Sequence, residues 1–371
     1  MLTVLSIFGT RPEAVKMTPV VQQLSQYPGQ IHSVVCVTAQ HRRMLDQVLN
    51  LFEIRPDYDL NLMRSNQSLA QITAMMIQEL DPIIQQVKPD WVLVQGDTTT
   101  VMAAALVAFY QRVKVGHMEA GLRTCDKYQP FPEEINRRVT DVLANLFFAP
   151  TERARQNLLQ EGIPIAAIRV TGNTVIDALL QVAAKTYSWT DGPLSTIPRQ
   201  KRLVLITAHR RESFGAPLAN LSWAVRDLAQ RYQGDCHFVY PVHLNPNVQG
   251  PVYEILDHQA NVSLIEPLDY LPLVQLMKQC ALILTDSGGI QEEAPSLGVP
   301  VLVLRETTER PEAIEAGVAR LVGLNRAQIV SEAAHLLDNP AARAQMARAV
   351  NPYGDGQAAR RIVEALLDYP A

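Results

Sequence analysis

The stretch ALILTDSGGIQEEAPSLGVPVLVL, residues 281–304, runs from one short apolar segment through a polar, glycine-containing turn to a second apolar segment. Ala281–Thr285 and Val299–Leu304 have no polar alternation, the pattern of strands buried on both faces of a parallel sheet. Between them, Gly288 and Gly289 allow close backbone approach, and Ser287 can cap a helix or donate to a phosphate oxygen. Glu293 follows Ser287 by nearly two helical turns and could reach back toward the hydroxyls of a ribose. The segment therefore reads as a strand, an anion-receiving turn, a helix and a further strand. A plain glycine turn with a surface glutamate fits the same letters.

The alternation repeats outward along the chain. Toward the N-terminus, strands are predicted near Leu2–Phe8, Ser33–Thr38, Trp91–Gln95, Val113–Met118 and Leu146–Ala149. A second series begins near Leu203–Thr207 and continues at His237–Tyr240 and Val262–Ile265. Helical patterns separate them, which defines the α/β class and two doubly wound, Rossmann-like domains. Thr186–Lys201, rich in small polar residues and containing two prolines, reads as the linker. The expected organisation is residues 1–185, residues 186–352 and a terminal helical segment at 353–371. Sheets of this kind take ligands beyond the carboxyl ends of their strands, so a cleft between the two domains is the expected site.

A chain of 371 residues, 47% of them hydrophobic and 19% charged, suits two globular cores. With 33 lysines and arginines against 37 acidic residues, the formal charge of -4 gives no overall attraction to nucleic acid or an anionic membrane. No basic segment precedes Leu2–Phe8, and no apolar run reaches the roughly 18 residues of a membrane span. A cytoplasmic location is the resulting expectation. Cys36, Cys125, Cys236 and Cys280 are scattered and form no CxxC pair, as for thiols in a reducing compartment.

Residues that follow the strands carry the chemistry. Phe8-Gly9-Thr10-Arg11-Pro12-Glu13 has capping-box spacing between Thr10 and Glu13, and Pro12 suits a first helical turn. Open backbone N–H groups there would favour an anion, with Arg11 and Lys16 adding charge. His209-Arg210-Arg211 and Arg310 offer further cations at strand ends. Asp97 and Glu119 follow apolar strands, and Glu133 opens Glu133-Glu134-Ile135-Asn136-Arg137-Arg138. Such acids are candidates for general acid and base. Asp97 could equally cap a helix, and Glu133 could pair with Arg137 at i, i+4. No strand leads into G-x-G-x-x-G, which removes support for a nicotinamide cofactor. The histidines and cysteines form no metal-ligand motif, and no G-x-S-x-G elbow is present, so neither a metal nor a serine nucleophile is expected.

Together, FGTRPEA (8–14), TAQHR (38–42), QGDTTT (95–100), HMEAGLRT (117–124), PEEINRR (132–138), TGNTVIDA (171–178), HRRESFG (209–215), YPVHLNPNV (240–248), DSGGIQEEAPSLG (286–298) and TTERPEA (307–313) resemble the bacterial non-hydrolysing UDP-N-acetylglucosamine 2-epimerases. The motifs occur in order over nearly the whole chain. The resemblance implies a GT-B-like fold with an interdomain active site, a C-terminal helix returning to the first domain, and a homodimer. It implies interconversion of UDP-GlcNAc and UDP-ManNAc by elimination and re-addition of UDP through 2-acetamidoglucal, without a cofactor, for bacterial surface polysaccharides. It makes Asp97, Glu119 and Glu133 the acid/base carboxylates. Arg11, Lys16, His209 and Arg310 would hold the phosphates, with His209 also counted among the catalytic groups. Ser287, Gly288 and Gly289 would meet the diphosphate, and Glu293 the ribose. Leu268 and Leu273 match positions lining the uracil pocket, where some relatives have glutamine and phenylalanine. Activation by a second UDP-GlcNAc is also implied, through Gln40, His41, Arg43 and His243. A GT-B glycosyltransferase, a hydrolysing epimerase and a non-catalytic sensor are the competing readings.

Overall fold

The computed structural model describes residues 1–38, 42–63 and 67–369, and only the backbone of Arg43 and Arg211. Gln40 and His41 lie outside the described residues, as does the side chain of Arg43. The chain divides into two compact units, Met1–Ala178 with Tyr353–Ala371 and Leu179–Pro352. The division falls inside the Thr174–Ala184 helix.

Seven strands are found in the first unit among the described residues: β1 (Leu2–Phe8), β2 (Ile31–Val37), β3 (Tyr58–Asp59), β4 (Trp91–Gln95), β5 (Lys114–Met118), β6 (Leu146–Ala149) and β7 (Ile168–Val170). They form one parallel sheet in the order β3-β2-β1-β4-β5-β6-β7. Strand order reverses between β1 and β4, so helices leave the sheet in opposite directions there and their starts splay apart. Every residue of β4 is buried, as are the last five of β1, because helices cover both faces. The Leu69–Val87 and Thr99–Tyr110 helices pack together over one face, closing a core with Leu5, Ile7, Val92 and Val94.

The second unit repeats the plan with β8 (Arg202–Thr207), β9 (Cys236–Pro241), β10 (Val262–Ile265), β11 (Cys280–Thr285), β12 (Val301–Val303) and β13 (Ala319–Leu321). Its parallel order is β10-β9-β8-β11-β12-β13, with the reversal between β8 and β11. The two Rossmann-like sheets agree with the α/β expectation. Three strands had no sequence signal, namely β3, β7 and β13. Each is an edge strand of two or three residues, too short for an apolar run to register.

The C-terminal helix, Ala358–Leu367, packs against the Arg11–Leu24 helix of the first unit. Its N-cap residue makes no side-chain cap. Asp177 supplies that function from elsewhere in the chain, accepting from the N–H groups of Ala358 and Ala359 at 3.2 and 2.9 Å. Where the chain returns, Asn173 N–H donates to the Tyr353 carbonyl at 2.7 Å. A Cβ on Gly172 would come within 3.2 Å of the Gly354 Cα, and both glycines have positive φ, so neither position accepts a side chain without strain.

Candidate active site

In the first unit the candidate side chains collect where β1, β4 and β5 end. Thr10 and Glu13 form the expected capping box at the start of the Arg11–Leu24 helix, with Pro12 in the first turn. Glu13 is buried, and one carboxylate oxygen accepts from Gly9 N–H at 3.0 Å and Thr10 N–H at 2.6 Å while the other accepts from the Thr98 hydroxyl at 2.6 Å. The Thr10 N–H is thus engaged as the capping box requires, and the Gly9 N–H is engaged with it. Gly9 is required for a separate reason, since a Cβ there would lie 2.0 Å from Thr38 Oγ1. Arg11 opens the helix and is half-buried.

β4 ends in Gln95, and Gly96 turns the backbone with φ +82° to present Asp97. Thr98, not Asp97, caps the Thr99–Tyr110 helix. Asp97 instead accepts from Arg137 Nη2 at 2.5 Å, and its carbonyl accepts from Asn136 Nδ2 at 2.9 Å. The Glu133–Leu143 helix is thereby tied to Asp97 one turn beyond Glu133. Arg137 thus faces Asp97 and Glu134, where the i, i+4 alternative had it on Glu133.

Glu119 follows β5 with φ +63°, a left-handed conformation that costs a non-glycine residue about 1 kcal/mol or more. Its carboxylate is held by Lys16 Nζ, 2.7 Å from both oxygens, by Asn173 Nδ2 at 3.2 Å and by Gln95 Nε2. Lys16, expected at a phosphate, is paired with this carboxylate. A Cβ on Gly96 would lie 3.7 Å from Glu119 Oε2, so Asp97 and Glu119 end on neighbouring strands with their turns in contact.

Beneath them is a residue that pattern reading passed over. His117 is fully buried; its Nε2 lies 2.8 Å from the Gly96 carbonyl and its Nδ1 2.6 Å from Asp141. Asp141 also accepts from Arg123 Nη2 at 2.6 Å. Burial pushes the Asp141 carboxyl up, but His117 and Arg123 outweigh it and hold the group below its ordinary value. The available signal was the placement of His117 within the apolar strand that leads directly to Glu119.

The second unit gathers its groups at the β8 and β11 ends. Ser287 precedes the short Gly288–Glu293 helix and makes no side-chain cap, so its hydroxyl is not committed to the helix. A Cβ on Gly288 would lie 3.8 Å from Arg210 Nη2, and one on Gly289 would lie 3.5 Å from Glu293 Oε1. A guanidinium and a carboxylate thus flank the glycine pair. Glu293 accepts at 2.9 Å from the hydroxyl of Tyr270, a second residue the sequence did not single out. Arg310 Nε is paired with the buried Glu292, and its N–H donates to Thr308 Oγ1 at 3.0 Å. Leu268 is buried and Leu273 half-buried, the latter in the Tyr270–Gln279 helix and the former just ahead of it. His209 stacks on His243 with ring centroids 5.5 Å apart and an interplanar angle of 12°. Burial lowers the His209 pKa, Asp286 opposes the shift, and His243 and Arg210 reinforce it.

Among the described residues, no cluster of three or more histidines, cysteines or acids could hold a metal ion, and no helix is long and apolar enough to cross a membrane. Two Rossmann-like domains, one presenting adjacent carboxylates and the other a glycine turn flanked by a guanidinium and a carboxylate, define a two-domain enzyme of the GT-B-like class. A family profile described as UDP-N-acetylglucosamine 2-epimerase matches residues 22–367. The UDP-N-acetylglucosamine 2-epimerase of Escherichia coli (strain K12) is 56% identical over 371 residues, covering 98% of each chain. The crystal structure of the Neisseria meningitidis UDP-GlcNAc 2-epimerase bound to UDP-GlcNAc is 51% identical with a TM-score of 0.88, over 99% of this chain and 100% of that one. The Methanocaldococcus jannaschii enzyme in complex with UDP-GlcNAc and UDP is 34% identical with a TM-score of 0.78, over 98% and 99%. The chain belongs to the UDP-N-acetylglucosamine 2-epimerase family.

Proposed function

We propose that this enzyme interconverts UDP-GlcNAc and UDP-ManNAc without hydrolysis, supplying bacterial surface polysaccharide synthesis in the cytoplasm. The observation that carries the reading is the juxtaposition of Asp97 and Glu119 at adjacent strand ends of a chain belonging to this family. The proton on carbon 2 of the sugar is not next to a carbonyl, so its removal needs a concurrent route for the electrons. Breaking the bond from carbon 1 to the diphosphate oxygen provides one. The C–H electrons become the double bond of 2-acetamidoglucal, UDP leaves with the electron pair of the broken bond, and a carboxylate keeps the proton. Re-addition of UDP with protonation of carbon 2 from the opposite face completes the inversion. Two acid/base groups are needed, and Asp97, Glu119 and Glu133 are the candidates. His209, Arg310, Arg11 and the Ser287–Gly289 turn are assigned to the departing diphosphate, where donors aimed at developing charge lower the barrier. Glu293, oriented by Tyr270, is assigned to the ribose, and Leu268 and Leu273 to the uracil. Lys16, which holds the Glu119 carboxylate, is assigned to the phosphates as well.

The test is incubation with UDP-GlcNAc in deuterium oxide, followed by NMR at carbon 2. Deuterium in UDP-ManNAc and in recovered UDP-GlcNAc is expected, with no accumulation of free sugar. Release of free N-acetylmannosamine and UDP would make the enzyme hydrolytic instead. Asp97→Asn, Glu119→Gln and Glu133→Gln are each expected to slow exchange by about 100-fold or more. The same time course started from UDP-ManNAc, with and without a trace of UDP-GlcNAc, reads out the proposed substrate activation. His243, in ring contact with His209, is the described residue through which a second molecule would act.

A further inference from the structure

Asp286 stands immediately before the Ser287–Gly289 turn, and its carboxylate is fully buried at the point where β8 and β11 end. Its Oδ2 accepts the main-chain N–H of His209 at 2.7 Å and of Arg210 at 2.8 Å. Arg210 returns the link, Nε donating to the Asp286 carbonyl at 3.1 Å. The second carboxylate oxygen, Oδ1, is buried with no hydrogen bond, and His209 Nδ1 lies 3.5 Å away. A buried carboxylate oxygen without a donor is costly, and that ring nitrogen is a donor within reach of it.

We propose that Asp286 is a positioning residue for the reaction: it holds the proton of His209 on Nδ1, turns Nε2 of the ring outward to the diphosphate, and locks the His209–Arg210 segment to the phosphate turn. This rests on His209 serving the diphosphate, as proposed above. The 3.5 Å between Nδ1 and Oδ1 is the gap this hydrogen bond would close. The charged and titratable groups facing His209 are Asp286 on the β11 turn, Arg210 beside it and His243 stacked on its ring. Of these only Asp286 favours the imidazolium.

Asp286→Asn isolates the role, because the amide oxygen still accepts both main-chain N–H groups while the NH2 replaces the acceptor facing Nδ1. The rate is expected to fall on the order of 10- to 100-fold, the scale of misorienting a reacting group. The unfolding midpoint is expected to move little. The His209 ring-proton titration, followed by NMR, is expected to shift to lower pH. In a His209→Gln background the same substitution should cost nothing further, since the two residues act as a unit. An equal cost in that background, or an unmoved titration, overturns the proposal. A measurement on the unmodified enzyme guards against a variant that does not fold. The 15N shifts of His209 should show the neutral ring protonated at Nδ1, and protonation at Nε2 overturns the proposal. If His209→Gln alone keeps the full rate, the role of His209 in catalysis fails, while the tautomer and titration still judge the hold exerted by Asp286.

Discussion

Glu13 shows how one side chain can serve local and tertiary structure together. It completes the first turn of its helix, and it joins that turn to Thr98, the residue after Asp97. Burial pushes its carboxyl up, and the hydrogen bonds from Thr98, Thr10 and Gly9 only partly offset this. A raised folded-state value means that the folded chain binds this proton more tightly than the unfolded one. The stabilisation is complete below the unfolded value of about 4.3 and is lost as pH rises through the folded value. Glu13→Gln carries no such titration, so its unfolding midpoint in urea should improve relative to the parent as pH is raised from 5 toward 8. Parallel curves would dismiss the assignment. At this scale the sequence was informative about residue type and weak about partner. Lys16 and Arg310 were legible as cations near strand ends, but each is engaged by a carboxylate, Glu119 and Glu292, that lies far off in sequence or on another helix. Spacing along a chain reports neighbours on one element, and these partners come from different ones.

Elements were more legible than partners wherever they were long. Strands buried on both faces, such as Trp91–Gln95 and Leu146–Ala149, declare themselves as apolar runs. Edge strands of two or three residues depend on register with a neighbour and leave no such trace. The C-terminal helix was expected within residues 353–371, but its cap was not, because Asp177 precedes it by some 180 residues. Asp177 is buried, and the two N–H groups it receives replace a cap that Gln357 does not make. Asp177→Ala should destabilise the first unit by about 0.5–2 kcal/mol, the usual scale for a lost N-cap. Trp91 fluorescence during urea unfolding would register the change, since Tyr369, just beyond that helix, packs edge-on to the Trp91 ring at 4.8 Å. An unchanged midpoint would mean that water caps the helix equally well.

At the scale of the molecule, the repeated doubly wound plan explains why both sets of candidate residues lie near strand ends. In each sheet they cluster about the reversal of strand order, β1 with β4 and β8 with β11, where diverging helices leave room beyond the sheet. The surface of the first unit also bears on assembly. Phe109 and Tyr110 are 57% and 62% exposed at the end of one helix, and Val142 is 81% exposed near the end of the helix packed beside it. Exposed apolar groups on adjoining helices make this surface a candidate interaction face. A homodimer, expected from the family resemblance, would have these groups to bury. If it forms through them, Val142→Glu or Phe109→Glu should lower the mass read by size-exclusion light scattering, and an unaltered mass excludes this face as the interface.

Departure and return of the chain lie side by side in the first unit, at Gly172 and Gly354, with the whole of Leu179–Pro352 threaded between them. Translation meets these pieces in order. A nascent polypeptide that has cleared the ribosome as far as Ala178 possesses its first seven strands but lacks the helix that seals against Arg11–Leu24. The half begun earliest is therefore the half finished last. A ribosome that stalls late, or a protease that trims the closing turns, would damage the carboxylate-bearing half and leave the later-made one whole.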